Sequence, residues 1–325
     1  MSLFEKLVEK FDPSVLGDDE LVVQVRDTTY LREEKSDFSA NKVGVAILGA
    51  KRGIKVLPSL PWPGVILLEE GKLWISQEEL TYFSDKGAIH KGYSKGCRFV
   101  LANDSRDILE RSVLFRRPHN IIAAATIDSI MYDVCDENPA VIYSGGAYNG
   151  GGQGRIVTWT EATRAHVKTF SNRGLVLMSN LTVCVQACNT SEPVELYRVP
   201  GFKHNGDFQL GAGAIDGKNL YVTLYELRPG PRTLNSIPLM RLDLYQPNKL
   251  ETMCDLVTGK GSNNKPEGVE QMRVKNIRVY FVPYGSPDKL CVQEVGGKVA
   301  HVVLEAKGLH SIDDFAVYQR GDLNI

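Results

Sequence analysis

The sequence is poor in the signals that usually betray chemistry. None of its six histidines (His90, His119, His166, His204, His301 and His310) falls in an HxH, HExxH or Cys-His spacing, so no zinc site is written locally. No Gly-x-Ser-x-Gly is present, which removes the nucleophile elbow. Phosphate and dinucleotide loops need glycines that open a helix. The glycine-rich run at 145–154 leads instead into Arg155-Ile-Val-Thr-Trp159, a strand pattern, with no Gly-Lys-Ser/Thr after it. No catalytic residue, metal or cofactor is assigned on these grounds.

Other absences bound the class. No run approaches the ~20 apolar residues that a membrane helix needs. The first eleven residues carry Glu5, Lys6, Glu9 and Lys10, which breaks up the apolar core of a secretion signal. Six cysteines in 325 residues do not make a disulfide framework. The expectation is a reduced chain, cytoplasmic or in a virion assembled there. Net charge is −1, so no global field draws the protein to nucleic acid or membrane.

What is present is a succession of short β-patterns. Around 141–200, four runs rich in β-branched or aromatic residues follow the glycine-rich segment. They are punctuated by Ser171-Asn-Arg-Gly174, Ser179-Asn180 and Asn189-Thr-Ser-Glu-Pro193. Residues 175–178 are apolar throughout, as in a strand covered on both faces. Residues 181–187 alternate Leu181, Val183 and Val185 on one face with Thr182, Cys184 and Gln186 on the other. Similar patterns occur at 21–25, 43–48, 54–57, 65–68, 72–75, 219–227, 239–245, 274–282, 290–295, 299–304 and 315–318. No internal repeat is visible on either side of the linker-like segment 260–268. The fold expected is mainly β, an antiparallel sandwich or jelly-roll-like body with a few short helices. Residues 1–40 form an N-terminal helix and acidic arm. Residues 41–325 form the body, with a split near 136–154 as the alternative.

Three helices are expected. At 2–11, Ser2 and Glu5 make a capping box and Leu3, Phe4, Leu7, Val8 and Phe11 one apolar stripe. Residues 104–115 place Ile108, Leu109, Val113 and Leu114 near one face, and 120–134 lean to helix through Ile121-Ile-Ala-Ala-Ala125.

The sharpest local feature is basic. Between residues 86 and 117, Lys86, Lys91, Lys95, Arg98, Arg116 and Arg117 stand out, with Tyr93, Phe99 and Phe115 interleaved. Cations on phosphates and aromatics on bases hold single strands without reading sequence. His310 near Asp313 and Asp314 reads as an exposed loop. The glycine-rich run and 260–268 should be exposed and mobile, because glycines are costly to order.

On this reading the protein is a non-enzymatic, self-assembling β-rich structural protein: a viral coat, matrix or movement-type protein whose partners are copies of itself. The alternative is a β-rich module binding single-stranded nucleic acid or sugar through the basic segment. A third reading is an enzyme whose site is dispersed along the chain, since catalytic triads are spatial rather than sequential.

Overall fold

The computed structural model describes residues 1–28, 42–57, 60–61, 63–69, 72–83, 92–101, 113–117, 121–127, 130–135, 141–144, 155–156, 165, 167–190, 192–199, 208–226, 236–258, 268–308, 310–320 and 322. It opens with helix α1 (Leu3–Leu7), strand β1 (Val8–Phe11), a short 3-10 turn at Pro13–Val15, and strands β2 (Asp19–Arg26), β3 (Lys42–Gly49), β4 (Gly53–Val56) and β5 (Leu60–Pro61). Four-stranded meanders then follow one another. The first holds β6 (Pro63–Glu69), β7 (Lys72–Phe83), β8 (Gly92–Leu101) and β9 (Val113–Arg117). The second holds β10 (Ile121–Ile127), β11 (Ile130–Cys135), β12 (Val141–Ser144) and β13 (Arg155–Ile156). The third holds β14 (Val167–Ser171), β15 (Gly174–Met178), β16 (Thr182–Gln186) and β17 (Val194–Arg198). The fourth holds β18 (Phe208–Asp216), β19 (Asn219–Glu226), β20 (Ile237–Asp243) and β21 (Glu251–Leu256). The fifth holds β22 (Val269–Lys275), β23 (Arg278–Pro283), β24 (Lys289–Glu294) and β25 (Ala300–Ala306), with β26 (Ser311–Gln319) left over.

That last strand finds its partners at the other end of the chain. β26 pairs antiparallel with β2, which pairs with β3 and so with β4, making a sixth sheet. β1 pairs with β25 and adds a fifth strand to the fifth sheet. The first strand of each sheet packs on the first strand of the next: β6 on β10, β10 on β14, β14 on β18, β18 on β22, β22 on β26, and β26 back on β6. The six sheets among the described residues therefore form a closed ring, a β-propeller with the first strands around its axis. The expected sandwich or jelly roll is corrected. The body is mainly β and antiparallel, but its sheets stand as blades around an axis instead of facing each other as two layers.

The cores lie between blades. One cluster joins blades three and four through Val176, Val185, Leu220 and Leu242. Another joins five and six through Leu21, Val23, Tyr280 and Phe315. A middle strand is thus covered on both faces, and β15 and β16 are buried at every position. The face of Thr182, Cys184 and Gln186 is therefore covered as fully as that of Val183 and Val185. Cys184 packs in the layer between blades two and three, and Thr182 and Gln186 are buried with it on that side.

The helices are corrected as well. The capping box at Ser2 and Glu5 forms, but α1 stops at Leu7 and the chain turns extended, so Val8–Phe11 can close the fifth blade. Phe4 is fully buried against β3, where a Cβ added at Gly44 would stand 2.8 Å from the Phe4 Cα. The segment expected as helix at 120–134 is the hairpin β10–β11. Val113–Arg117, the end of the expected helix 104–115, is strand β9, and 104–112 lie outside the described residues. The single strand expected at 274–282 is two, broken at Asn276 and Ile277, which both adopt positive φ (49° and 60°).

Within each four-stranded meander successive strands run antiparallel, so the first-to-second and third-to-fourth connections leave from one rim. The turn after β14, the loop after β16, the loop after β20 and the turn after β22 share that rim.

Candidate functional site

The turn between β14 and β15 is built to hold one arginine still. Ser171 is buried, and its hydroxyl donates to the Gly174 carbonyl (3.2 Å) and accepts from the Arg173 N–H (3.2 Å). Gly174 sits at φ +123°, and a Cβ there would fall 2.3 Å from the Gln186 carbonyl oxygen. Only glycine allows that approach. Arg173 therefore leaves the turn in one direction, toward blade four. Its Nη1 donates to the Leu244 carbonyl, and its guanidinium carbon lies 5.4 Å from the centroid of the Tyr245 ring.

A guanidinium carries five N–H donors. No carboxylate pairs with Arg173 among the described residues, and the carbonyl and the ring use only part of its capacity. It borders a cavity of about 510 Å³ lined also by Val185, Ala187, Asn189, Thr190, Glu192 and Val194. The loop after β16 closes the wall. Thr190 donates to the Ala187 carbonyl from its N–H (3.0 Å) and from its hydroxyl (3.2 Å). The fully buried Gln186 reaches up to the Thr190 carbonyl (3.0 Å), while its own side-chain oxygen has no partner among the described residues. The cavity thus offers an apolar floor, two neutral polar side chains, a fixed cation and an exposed carboxylate, Glu192. Its volume lies in the range of small-ligand sites.

A half-buried thiol stands near the site on Cys188 and a buried one farther off on Cys291. Burial pushes Cys188 up to about 11, and Cys291 on the fifth blade likewise. Among the described residues, no group of His, Cys, Asp and Glu is placed to hold a metal ion.

The arginines of blades five and six behave differently from Arg173. Arg278 donates to the carbonyls of Val15 and Leu16 and to Asp19 (3.0 Å), which also accepts from the buried Tyr280 hydroxyl (2.6 Å). Arg273 crosses from β22 to Asp314 on β26 (2.7 Å), Arg26 meets Asp313 (2.5 Å), and Arg52 meets Glu20 (2.9 Å). Asp313 and Asp314 were expected in a solvated turn with His310. They are strand residues in ion pairs instead, and His310, half-buried, lies 3.5 Å from Asp27 and accepts from the Thr28 N–H. These pairs join the two ends of the chain to the ring, which is a structural duty.

The basic residues singled out from the sequence fall on the first blade. Lys95 and Arg98 lie on β8, and Arg116 and Arg117 on β9, with Arg98 opposite Arg116 and Cys97 opposite Arg117. Lys86 and Lys91 lie outside the described residues, as do the glycine-rich run 145–154 and, except for its last residue, the segment 260–268. Arg173 escaped sequence reading because Ser171-Asn-Arg-Gly174 registers only as a turn. The signal was there: an arginine at the tip of a hairpin whose glycine is obligatory.

No family model matches the chain, and no curated protein matches it. Among solved structures it is similar to a puromycin-hydrolyzing peptidase of Mycobacterium tuberculosis, with a TM-score of 0.51 and 13% identity. That match covers 87% of this chain but 45% of the peptidase, so the chain spans less than half of that protein's length. It is also similar to AztD of Citrobacter koseri (TM-score 0.45, 10% identity, 92% and 98% of the two chains). A third likeness is to the WD40 domain of Neurospora crassa Pan2 (TM-score 0.40, 11% identity, 74% and 78%). At such identities the likeness is one of fold. The propeller fold that this chain shares with the first of these corrects the expectation of a self-assembling viral coat, matrix or movement-type protein and of RNA binding. Among the described residues no helix is long and apolar enough to cross a membrane.

Proposed function

We propose that this chain is a recognition propeller that binds a carboxylate-bearing ligand in the cavity on its third blade. The observation that carries this is Arg173: an arginine fixed by a carbonyl and an aromatic ring, facing a cavity, with no acid partner among the described residues. Arginine is the side chain best matched to carboxylates, since its planar fork meets both oxygens at once. Its orientation is set before any ligand arrives, so little side-chain entropy remains to be lost on binding. Val185, Ala187 and Val194 favour an apolar group next to the carboxylate, and Asn189 and Thr190 can bond to an amide.

The test is a calorimetric titration of the full chain with N-acetyl-Ala-Val as the free acid and as the C-terminal amide. A hydrogen bond to a charged group contributes about 1.5–3 kcal/mol, so the acid should bind at least about tenfold more tightly. Arg173→Gln should abolish the difference. Equal binding of acid and amide to the unaltered chain refutes the reading.

A further inference from the structure

A second charge borders the cavity, and it is opposite in sign to Arg173. Glu192 lines the same space and is exposed. The two form no ion pair with each other, and among the described residues neither meets another charged side chain. Other carboxylates of blades three and four are paired. Glu195 accepts from the Arg198 Nε (3.0 Å), Asp243 meets Lys218 (2.7 Å), and Glu251 meets Arg241 (2.5 Å). Glu192 thus stands apart from them as Arg173 stands apart from the arginines of blades five and six.

The chain around Glu192 sets its position. The Thr190 hydroxyl bonds to its carbonyl (3.4 Å) and to that of Ala187 (3.2 Å). Pro193 follows, and the bulk of its ring holds the residue before it extended. β17 then begins at Val194, which lies opposite Val185 in the sheet. The anion therefore comes from the loop that closes the blade, and the cation from the β14–β15 turn.

Two fixed charges of opposite sign select for a ligand that carries both. A simple carboxylate gains at Arg173 and is repelled at Glu192, whereas one that also has an ammonium group gains at both. The Asn189 amide offers a donor and an acceptor, which match a peptide bond, and Val185, Ala187 and Val194 supply apolar contact. We infer that the ligand is a short peptide with both termini free, its carboxylate on Arg173 and its ammonium group on Glu192. This rests on the carboxylate reading above. It adds the second charge, and with it discrimination against simple acids and N-blocked peptides.

The experiment is a calorimetric titration of the full chain with Ala-Val, its C-terminal amide, propanoyl-Val and free valine. Propanoyl-Val is Ala-Val with a hydrogen in place of the ammonium group. Ala-Val should bind about threefold to fivefold more tightly than propanoyl-Val, within the range of an exposed ion pair. It should bind at least about threefold more tightly than valine, which lacks the peptide bond and a methyl group. Glu192→Gln should remove the advantage over propanoyl-Val and keep the preference for Ala-Val over its amide. The same variant should bind propanoyl-Val more tightly than the unaltered chain does, a gain that a damaged fold would not produce. If propanoyl-Val equals Ala-Val while the amide still binds more weakly, the carboxylate reading stands and the ammonium site is overturned. A preference for Ala-Val over propanoyl-Val that survives Glu192→Gln overturns the assignment of Glu192. Valine binding as tightly as Ala-Val overturns the peptide class. If Ala-Val and its amide bind alike, or none of the four binds, both readings fall.

Discussion

Two arginines sit at hairpin turns on the same rim and do opposite things. Arg278 follows the turn between β22 and β23, and it spends its donors on Val15, Leu16 and Asp19, closing the N-terminal segment onto the fifth blade. Arg173 lies in the turn between β14 and β15 and, among the described residues, meets one carbonyl and one aromatic ring at the border of the cavity. The turns differ as their tasks do. Ser171 and Gly174 fix the first by a buried hydroxyl and an obligatory glycine. The second places Asn276 and Ile277 at positive φ, where a β-branched residue is strained, and leaves Ile277 68% exposed. A charge that is satisfied holds the fold, while one that is fixed in place and unsatisfied is available to a ligand.

The largest effect expected from breaking this contrast is at Arg278. Removing one partner of a buried pair leaves the other uncompensated, so Arg278→Gln should cost roughly 3–5 kcal/mol in urea unfolding. A loss under about 1 kcal/mol would show that the clasp is not what closes the ring. Gly174→Ala comes next. It must accommodate both the φ of +123° and the Gln186 carbonyl at 2.3 Å, and should lose roughly 3 kcal/mol in the same assay.

The turn that delivers Arg278 can be improved instead of broken. Ile277→Gly relieves a left-handed β-branched residue and gives up little burial, so unfolding should require about 1 kcal/mol more. No gain would mean that Ile277 makes contacts that offset its backbone strain.

A paired inner charge also leaves a mark on pH dependence. Burial raises the Asp314 carboxyl above its ordinary 3.8, and Arg273 opposes the shift. The folded state then holds its proton more tightly than the unfolded state. The contribution of Asp314 to stability is therefore fully present below about 3.8 and declines as pH rises through the window between that value and the raised one. Asp314→Asn should flatten that part of the stability profile, and an unchanged slope would count against the assignment. The smallest effect on stability belongs to Arg173→Gln, expected within about 0.5 kcal/mol of the unaltered chain in urea unfolding. A loss like that of Arg278→Gln would make Arg173 a structural residue.

Much of the β content was legible in the sequence because strand patterns and turn formers alternate closely, as at 175–178 and Ser171–Gly174. The arrangement of the sheets was not. A blade's middle strands are covered by neighbours on both faces, so both the Val183 and Val185 side and the Thr182, Cys184 and Gln186 side of β16 are buried, which alternation along one strand does not reveal. The alanines at 123–125 favour helix by propensity, but pairing with β11 and packing against a neighbouring blade override it. The hairpin at Asn276–Ile277 lacks the glycine that marks such turns, so two strands read as one. The six blades repeat in architecture without repeating in sequence, since each needs only apolar strands of the right length. The candidate site was hidden for a further reason: what sets Arg173 apart is that no acid pairs with it among the described residues, and pairing is a fact of space.

The most direct test of that last point is the side-chain Nε–Hε resonance of Arg173, assigned in ¹⁵N-labelled full chain by its loss in Arg173→Gln. Titration with N-acetyl-Ala-Val as the free acid should shift this resonance progressively to saturation, and the C-terminal amide should leave it in place. A resonance that ignores both compounds, or moves equally with both, contradicts the claim that Arg173 is an open carboxylate site.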